Sequence, residues 1–350
     1  MKKYYTRACN FYYGSISKEK IKKKLALPLN GNNLISFDKI ELLTRKSKKT
    51  FPLKKINLLP KKIKNKINKD IKSITKKKIF HNLNFINSTI IMGVLNLTPD
   101  SFSDGGKYLN RRSALRKFKI LINQGSEIID IGGESTRPGS KSVKEEVELK
   151  RLTPILKIIK RYNCFVSLDT RKSLVMEKGI KSGIKLINDV SGLNYDLNTM
   201  KILKKNKIPF VLHHMLGTPD TMQKNPKYKN VLLDIYDFFE KKLKDIKSFG
   251  IKHNNIILDP GIGFGKNLKH NITLIDKISI FHSLGLPIML GISRKKFIKD
   301  LSKKNDSKER IGGTVASSLY SMMQGVQILR VHNVNEVKQA IKVFRKLKFK

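Results

Sequence analysis

The chain has 350 residues, of which 73 are Lys or Arg and 27 are Asp or Glu, so its formal net charge is +46. Hydrophobic residues make up 39% of the chain, which excludes wholesale disorder. No run of about 18 apolar residues is present, which argues against a membrane-spanning helix. Because the chain has two cysteines, Cys9 and Cys164, we expect no disulfide framework and a reducing, cytoplasmic compartment.

The positive charge raises the question of a nucleic-acid or anionic-membrane function. Residues 1–88 contain 24 Lys or Arg and 4 Asp or Glu, a net of +20, whereas residues 89–350 contain 49 and 23, a net of +26. A dedicated polyanion-binding tail would concentrate the charge more strongly than this. We therefore favour a compositional bias over a nucleic-acid function, and we expect no membrane partner.

The first 85 residues differ from the rest and are interpreted as a Lys-rich, partly ordered extension of unknown role. Residues 25–41 hold apolar runs around an Asn-Gly turn, which is typical of paired strands. Residues 54–78 mix Lys with Ile and Leu, which fits either a basic amphipathic helix or a linker. A cleaved organellar transit peptide is a minor alternative, against which the preference for Lys over Arg argues.

Over residues 86–350, apolar runs alternate with polar stretches that are compatible with helices. Such runs, bounded by turn residues, are typical of strands buried on both faces of a parallel sheet. The eight runs are 90–95, 127–131, 164–168, 184–187, 208–212, 255–258, 286–290 and 326–331. Helix-compatible stretches include 144–160, 231–249 and 307–323. This pattern predicts a (β/α)8 TIM barrel after the basic extension, with a doubly wound open sheet as the alternative.

Polar residues follow all eight apolar runs, at the end of the strands where a barrel carries its active site. Asp169, Asn188 and Asp259 follow three of the runs. Carboxylate and amide oxygens that converge on one barrel mouth suit a flat heterocycle with amino groups and ring N–H groups. A helix N-cap is the structural alternative for each Asp.

Cationic residues cluster at the end of the last run. Arg330 and His332 lie two residues apart, so their side chains share one face of a strand. Together with Arg137 they suit a phosphate or diphosphate. The glycine-rich run 261–266 does not have the spacing of a phosphate-binding loop, and close approach of its backbone to a planar ligand is the better interpretation.

Three oxygen-bearing residues, Asn96, Asp100 and Asp104, follow the first run. Oxygen ligands are typical of hard cations. We therefore expect Mg²⁺ held against a diphosphate.

The strand-end motifs resemble those of the dihydropteroate synthase family of pterin-binding barrels. The motifs are 92–106 (MGVLNLTPDSFSDGG), 128–139 (IIDIGGESTRPG), 167–170 (SLDT), 187–189 (IND), 259–267 (DPGIGFGKN), 293–295 (SRK) and 330–332 (RVH). The resemblance covers about residues 89–345, and its first two motifs are highly specific.

The resemblance implies a transferase of folate biosynthesis. In that reaction 6-hydroxymethyl-7,8-dihydropterin diphosphate condenses with 4-aminobenzoate, giving 7,8-dihydropteroate and diphosphate. The resemblance further implies early loss of Mg²⁺-bound diphosphate, attack of the arylamine on the pterin methylene, and a homodimer.

The resemblance also implies roles for individual residues. The residues that would hold the pterin or pack near it are Asp169, Asn188, Met215, Asp259, Phe264 and Lys295. Those that would hold Mg²⁺-diphosphate are Asn96, Arg330 and His332. Those on the first two loops, which would close over the site and form the aminobenzoate pocket, are Asp100, Phe102, Asp104, Thr136, Arg137 and Pro138. The implied catalytic groups are Asp169, Asp259, Lys295, Arg330 and His332.

Two positions depart from the family pattern. Leu216 stands where Gln usually follows His-Met, and Lys296 stands where Ser is common after Ser-Arg-Lys. Lys296 adjoins the expected aminobenzoate carboxylate, where a second cation would strengthen binding or its bulk would obstruct it.

The alternative from another functional class is a basic binding protein built on a catalytically inactive barrel. It predicts tight DNA binding that weakens steeply with salt. It gives no reason for polar residues at all eight strand ends.

Overall fold

The computed structural model describes residues 3–80, 83, 85, 89–98, 111–137, 139–218, 220–222 and 224–350. They form an N-terminal α/β extension and a barrel that follows it. Within these residues, no helix is long and apolar enough to cross a membrane.

The extension is a four-stranded antiparallel sheet with two helices. Its elements are β1 (Tyr5–Tyr13), α1 (Gly14–Lys22), β2 (Leu27–Leu29), β3 (Asn32–Leu43), β4 (Lys48–Pro52), a 3-10 helix at Leu53–Leu58 and α2 (Lys61–Thr75). Strand β3 is central and pairs with each of the other three. Between β2 and β3, Asn30 and Gly31 have φ values of 55° and 72°, the left-handed backbone that a tight hairpin turn requires. For residues 54–78, which the sequence left open between a helix and a linker, the structure has the helix α2.

A hydrophobic core of its own holds the extension together, and polar contacts join it to the barrel. Phe37 of β3 and Ile67 of α2 are fully buried in that core. Arg45 donates to Asp234 and Asp237 at 2.5 and 2.6 Å, and both acids belong to a helix of the barrel. The extension is therefore packed against the outside of the barrel.

The barrel consists of eight parallel strands separated by helices. Its strands are β5 (Ile90–Asn96), β6 (Ile128–Gly132), β7 (Phe165–Asp169), β8 (Leu186–Asp189), β9 (Phe210–His213), β10 (Ile256–Asp259), β11 (Met289–Gly291) and β12 (Ile328–Val331). Its helices are α3 (Arg111–Asn123), α4 (Glu145–Leu156), α5 (Ser173–Ser182), α6 (Thr199–Asn206), α7 (Val231–Ser248), α8 (Leu268–Asp276), α9 (Lys296–Ser302), α10 (Ile311–Met323) and α11 (Val334–Lys348). Short 3-10 helices lie at Ile159–Arg161, His253–Asn255, Ile278–Leu284 and Ser307–Arg310.

The strand order confirms the (β/α)8 barrel and excludes the doubly wound sheet. Strands β10, β9, β8, β7, β6, β5, β12 and β11 are neighbours in that order. Leu258 of β10 pairs with Ile288, the residue just before β11, and its N–H donates to Pro287 O at 2.9 Å. This bridge joins the two ends of the sheet and closes the barrel.

Aromatic residues from the segment before β5 close the lower end of the barrel, where the strands begin. Phe80 is fully buried and Phe85 is 9% exposed, and their ring centroids lie 6.3 Å apart. They pack in one cluster with the lower, inward-facing residues of the strands, which are Ile90, Met92, Ile128, Leu186, Val211, Ile257, Met289 and Ile328. The polar site lies at the opposite, upper end of the barrel, where the strands end.

Candidate active site

Residue alternation along each strand places polar groups above this apolar cluster. On β6, Ile128 packs in the lower cluster, and Asp130, two residues further on, faces the same way nearer the mouth. On β12, Ile328 and Arg330 have the same relation. On these two strands the barrel interior thus changes from an apolar to a charged residue within two positions.

Arg330 links two buried carboxylates across the barrel. Its Nε donates to Asp130 Oδ2 at 2.6 Å, and its Nη2 donates to Asp169 Oδ2 at 2.8 Å. The same Asp130 oxygen accepts from Asn188 Nδ2 at 3.0 Å. The structure therefore brings together residues from β6, β7, β8 and β12, and three of these four were predicted from sequence.

Several buried acceptors in this cluster have no hydrogen-bond partner within the described part of the chain. They are Asp130 Oδ1, Asp169 Oδ1, Asn188 Oδ1 and the hydroxyl oxygen of Ser167. A buried acceptor without a partner costs free energy, about 1–3 kcal/mol for a typical group. Oxygens left unpaired in this way suit a ligand whose edge carries N–H groups.

Burial perturbs the protonation equilibria of the two predicted carboxylates. Burial raises the pKa of Asp169, and the charge of Asp130 adds to the rise, whereas the Arg330 guanidinium opposes it. Burial also raises the pKa of Asp259, against the effect of Lys295. Asp259 additionally accepts from Gly261 N at 2.8 Å, so the turn after β10 fixes its carboxyl group.

Lys295 lies beside the Phe264 ring. Its Nζ is 4.2 Å from the ring centroid and donates to Ile262 O. Burial lowers the pKa of Lys295 to about 7, and Arg330 adds to this effect, while Asp259 and Asp169 oppose it. An aromatic ring and an amine therefore stand together where the sequence predicted a planar ligand.

His332 is hydrogen-bonded rather than charged. Its backbone N–H donates to Ser293 Oγ at 3.2 Å, and its Nδ1 lies 3.2 Å from the same oxygen. Burial and the nearby Arg330 lower its pKa to about 3. In the ligand-free protein the His332 ring is therefore neutral, and not the cation that the sequence suggested for binding diphosphate.

Four further predicted residues are described, and they end a barrel strand or lie in the segment that follows one. Asn96 ends β5 and is half-buried, as are Thr136 and Met215, while Arg137 is exposed. The predicted residues Asp100, Phe102, Asp104 and Pro138 lie outside the described residues.

The two positions that depart from the family pattern are both exposed. The Leu216 side chain is 39% exposed. Lys296 is the first residue of α9, and its Nζ lies 3.6 Å from Asp300 on the same helix.

Sequence reasoning missed three groups that the structure places near the site. Asp130 lies inside an apolar strand, and this single carboxylate in the run IIDIG was a signal that could have found it. Lys266 is 2% exposed, and its Nζ lies 3.0 Å from His214 Nδ1 and donates to Phe264 O at 2.8 Å. Lys266 thus ties the glycine-rich turn to the loop that follows β9.

A third group lies under the second loop. Glu134 accepts from Arg171 Nε at 2.9 Å and from Val143 N at 3.2 Å, and it also pairs with Lys172. The carboxylate therefore anchors both ends of the loop that carries Thr136 and Arg137.

Within the described residues, no group of three His, Cys, Asp or Glu side chains could hold a metal ion. Asn96 contributes one amide oxygen at the end of β5. Mg²⁺ commonly keeps several waters and binds through substrate phosphates and one or two protein oxygens. A single amide oxygen, that of Asn96, is compatible with a cation that binds mainly through phosphate oxygens and water.

The fold and the site together define a (β/α)8 barrel whose upper end brings acidic, amide, basic and aromatic groups together. The family model for pterin binding enzymes matches residues 92–332 of the chain. The chain is 40% identical to the dihydropteroate synthase of Escherichia coli (strain K12) over 254 residues, which are 72% of this chain and 89% of that enzyme. It is 41% identical to the enzyme of Neisseria meningitidis serogroup B over 262 residues, or 73% of this chain and 92% of the relative.

Solved structures agree with these relatives. A Yersinia pestis dihydropteroate synthase with a sulfonamide drug superposes with a TM-score of 0.71 at 38% identity, covering 76% of this chain and 95% of that one. A Xanthomonas albilineans dihydropteroate synthase in complex with 7,8-dihydropteroate gives 0.68 at 30% identity, with coverage of 76% and 95%. The chain therefore belongs to the dihydropteroate synthases, pterin-binding transferases of folate biosynthesis, and its substrates are small molecules.

Proposed function

We propose that the barrel mouth condenses 6-hydroxymethyl-7,8-dihydropterin diphosphate with 4-aminobenzoate, giving 7,8-dihydropteroate and diphosphate. The observation that carries this proposal is the group of buried, unpartnered oxygens on Asp169 and Asn188 beside Lys295 and Phe264. A pterin ring offers amino and ring N–H groups to such oxygens and a flat face to the aromatic ring. The ligands of related structures, 7,8-dihydropteroate and 4-aminobenzoic acid in the Xanthomonas albilineans enzyme, support the same substrates.

The reaction needs one bond to break and one to form. The bond between the pterin methylene carbon and the diphosphate oxygen breaks early, and its electron pair leaves with the diphosphate. The arylamine nitrogen then forms the C–N bond with its lone pair and afterwards releases a proton. Because an arylamine becomes acidic once it has bonded, no strong general base is required.

The protein's part is to stabilise charge and to orient the two substrates. Asp169 and Asp259 are each 4% exposed. Burial favours their neutral form, whereas Arg330 and Lys295 favour the ionised one, and as carboxylates of low exposure they strongly stabilise a cation that forms on the pterin. Arg330 and Asn96 lie at the upper ends of β12 and β5 and His332 just after β12, where these three residues would meet the departing diphosphate. Bound Mg²⁺ would supply additional positive charge to the departing diphosphate.

His332 and Arg330 act on the diphosphate in different ways. Neighbouring carboxylates raise the pKa of Arg330, which remains a cation throughout the reaction. The low pKa of His332 makes it a neutral hydrogen-bonding group until the diphosphate brings negative charge next to it.

The test is the release of diphosphate from the pterin substrate by the full chain. We expect release that depends on both 4-aminobenzoate and Mg²⁺, with dihydropteroate identified by mass spectrometry. Omission of 4-aminobenzoate is the matched control. If the folded protein releases no diphosphate but binds DNA with steep salt dependence, the catalytically inactive basic protein is the better account.

We further propose that the protein acts as a homodimer through α10. This helix exposes Gly312, Ala316 and Tyr320 on one stripe, and the half-buried Val315, Leu319 and Met323 lie beside it. Such a stripe on a helix face suits a second copy of the chain. Sedimentation should give the mass of two chains for the protein and of one chain for Ala316→Glu, and a monomeric parent protein would refute the dimer.

The cytoplasm is the proposed compartment. Cys9 and Cys164 are both free thiols, as expected of a protein that works under reducing conditions. Fractionation of the source cells, with the protein followed by antibody, tests this placement.

A further inference from the structure

We propose that Asp130 is a positioning residue: it fixes the Asn188 side chain with its carbonyl oxygen toward the ligand and thereby selects ligands that donate a hydrogen bond there. The inference rests on the proposed pterin site. It goes beyond that site because Asp130 points into the barrel below the ligand and acts through Asn188 rather than on the substrate.

The hydrogen bonds of Asp130 decide which way the amide faces. One oxygen, Asp130 Oδ2, accepts from Asn188 Nδ2 at 3.0 Å and from Arg330 Nε at 2.6 Å. A carboxylate paired with a guanidinium is an acceptor only. The reverse amide orientation would bring two oxygens together and would remove a charge-assisted hydrogen bond, so the NH₂ group of Asn188 must face Asp130.

The other end of the same amide is what the ligand meets. Asn188 Oδ1 is buried and has no partner within the described residues, and the same holds for Asp169 Oδ1 on the neighbouring strand. Two such acceptors side by side favour binding of a ligand whose facing edge carries N–H donors. A ligand with a carbonyl oxygen at this edge would leave buried acceptors facing one another.

Burial and the second bond to Arg330 make this arrangement rigid. Asp130 is fully buried, and Arg330 is held at its other side by Asp169. Asp130 cannot turn away without breaking its ion pair with Arg330, and Arg330 cannot turn without leaving both carboxylates unpaired. The orientation of the Asn188 amide is therefore set before any ligand arrives.

The test compares two ligands on three forms of the full chain. The probes are 6-hydroxymethylpterin, which carries the 2-amino group, and the matching 2-oxo compound, in which a carbonyl oxygen replaces that amine. Dissociation constants are measured by calorimetry without 4-aminobenzoate. The forms are the parent protein, Asp130→Ala, which lacks the acceptor, and Asp130→Asn, whose amide oxygen still accepts from both Arg330 and Asn188.

The parent protein should prefer the amino compound. In Asp130→Ala the ratio of the two dissociation constants should fall by about 10- to 100-fold, because the Asn188 amide group can then flip. Asp130→Asn should keep most of the preference, and the KM for 4-aminobenzoate should change little in either variant. A merely structural role predicts that Asp130→Ala weakens both ligands equally, so an unchanged ratio of the two dissociation constants overturns the inference.

Three further results are told apart by the same measurements. If Asp130→Ala does not fold, Asp130→Ser, whose hydroxyl is too short to reach both partners, is measured in its place against the same expectation. If the parent protein binds neither compound, the proposed pterin site itself is wrong. If it binds the amino compound well and Asp130→Ala, or Asp130→Ser in its place, keeps the full preference, only the role of Asp130 is wrong.

Discussion

The two ends of the barrel are built from the same eight strands but hold opposite chemistry. At the lower end, Phe80 and Phe85 fill the opening with rings that are 0% and 9% exposed. At the upper end, Arg330 and two carboxylates occupy the same interior, and several of their neighbours have buried acceptors without a partner in the described chain. The lower end thus stabilises the fold. At the upper end, the buried acceptors without a partner reduce the free energy of unfolding, and a ligand that donates hydrogen bonds to them can restore it.

Removing the central cation should have the largest effect. Arg330→Met leaves Asp130 and Asp169, whose side chains are 0% and 5% exposed, without their counter-charge. Loss of one partner of a buried ion pair costs about 3–5 kcal/mol, so the free energy of unfolding should fall by about that amount and diphosphate release should be lost. Urea unfolding followed by circular dichroism measures the first effect.

The control for this variant is Arg116→Met on α3. Arg116 is exposed, and an exposed substitution of this kind should change the unfolding free energy by less than about 0.5 kcal/mol. Equal stability of Arg330→Met and the parent protein would show that Arg330 does not compensate the two carboxylates.

At the lower end, Phe80→Ala should cost stability without impairing the chemistry. Deleting a fully buried Phe costs about 3–5 kcal/mol because it loses apolar contacts and leaves a cavity. Since Phe80 lies at the end of the barrel opposite the site, kcat per folded molecule should remain that of the parent. The measurements are urea unfolding and steady-state kinetics well below the unfolding midpoint.

Ile79→Ala is the matched control, because Ile79 is adjacent but 66% exposed. Its unfolding free energy should stay close to that of the parent protein. A large loss of kcat in folded Phe80→Ala would show that the two ends are not separate in function.

The contrast between the two ends was only partly visible in the sequence. The eight apolar runs predicted all eight strands, because burial on both faces leaves a continuous hydrophobic pattern. Their bounds were set too early at several strands: the fourth was predicted at 184–187, whereas β8 is Leu186–Asp189. Backbone pairing continues through polar residues, so Asn188 and Asp189 lie within the strand rather than after it.

What the sequence could not give is the pairing among the site residues. Arg330 and Asp130 are 200 positions apart, and only the closed barrel brings them within 2.6 Å. The neutral state of His332 also depends on burial and on cations from other segments, which no local pattern contains. The residue types at the strand ends were predictable, whereas their partners and charges were not.

Removal of one negative charge at the mouth should have an intermediate effect. Asp259→Asn keeps an oxygen that can accept from Gly261 N but loses the charge that stabilises a cationic pterin. A hydrogen bond to a charged group is worth about 1.5–3 kcal/mol, so kcat should fall by about 10- to 150-fold.

Steady-state diphosphate release measures this fall, with Asp245→Asn on the exposed side of α7 as the control that should retain parental rates. A folded Asp259→Asn with the parental rate would remove Asp259 from the mechanism.

The smallest expected effect concerns His332, whose ring should not titrate near neutral pH. Burial and nearby cations lower the pKa of His332 to about 3, so the ring should remain neutral from pH 8 down to about pH 4 in the ligand-free protein. The unfolded chain takes up this proton near pH 6.5, so the stability contributed by the neutral ring is complete above that pH and is lost as the pH falls toward 3. Nitrogen-15 spectra of the chain labelled at histidine, assigned with His332→Gln, follow the ring directly. A midpoint near 6.5 would mean that the upper end tolerates a second buried cation beside Arg330, and His332 would then meet diphosphate as a charged group rather than as a hydrogen-bonding one.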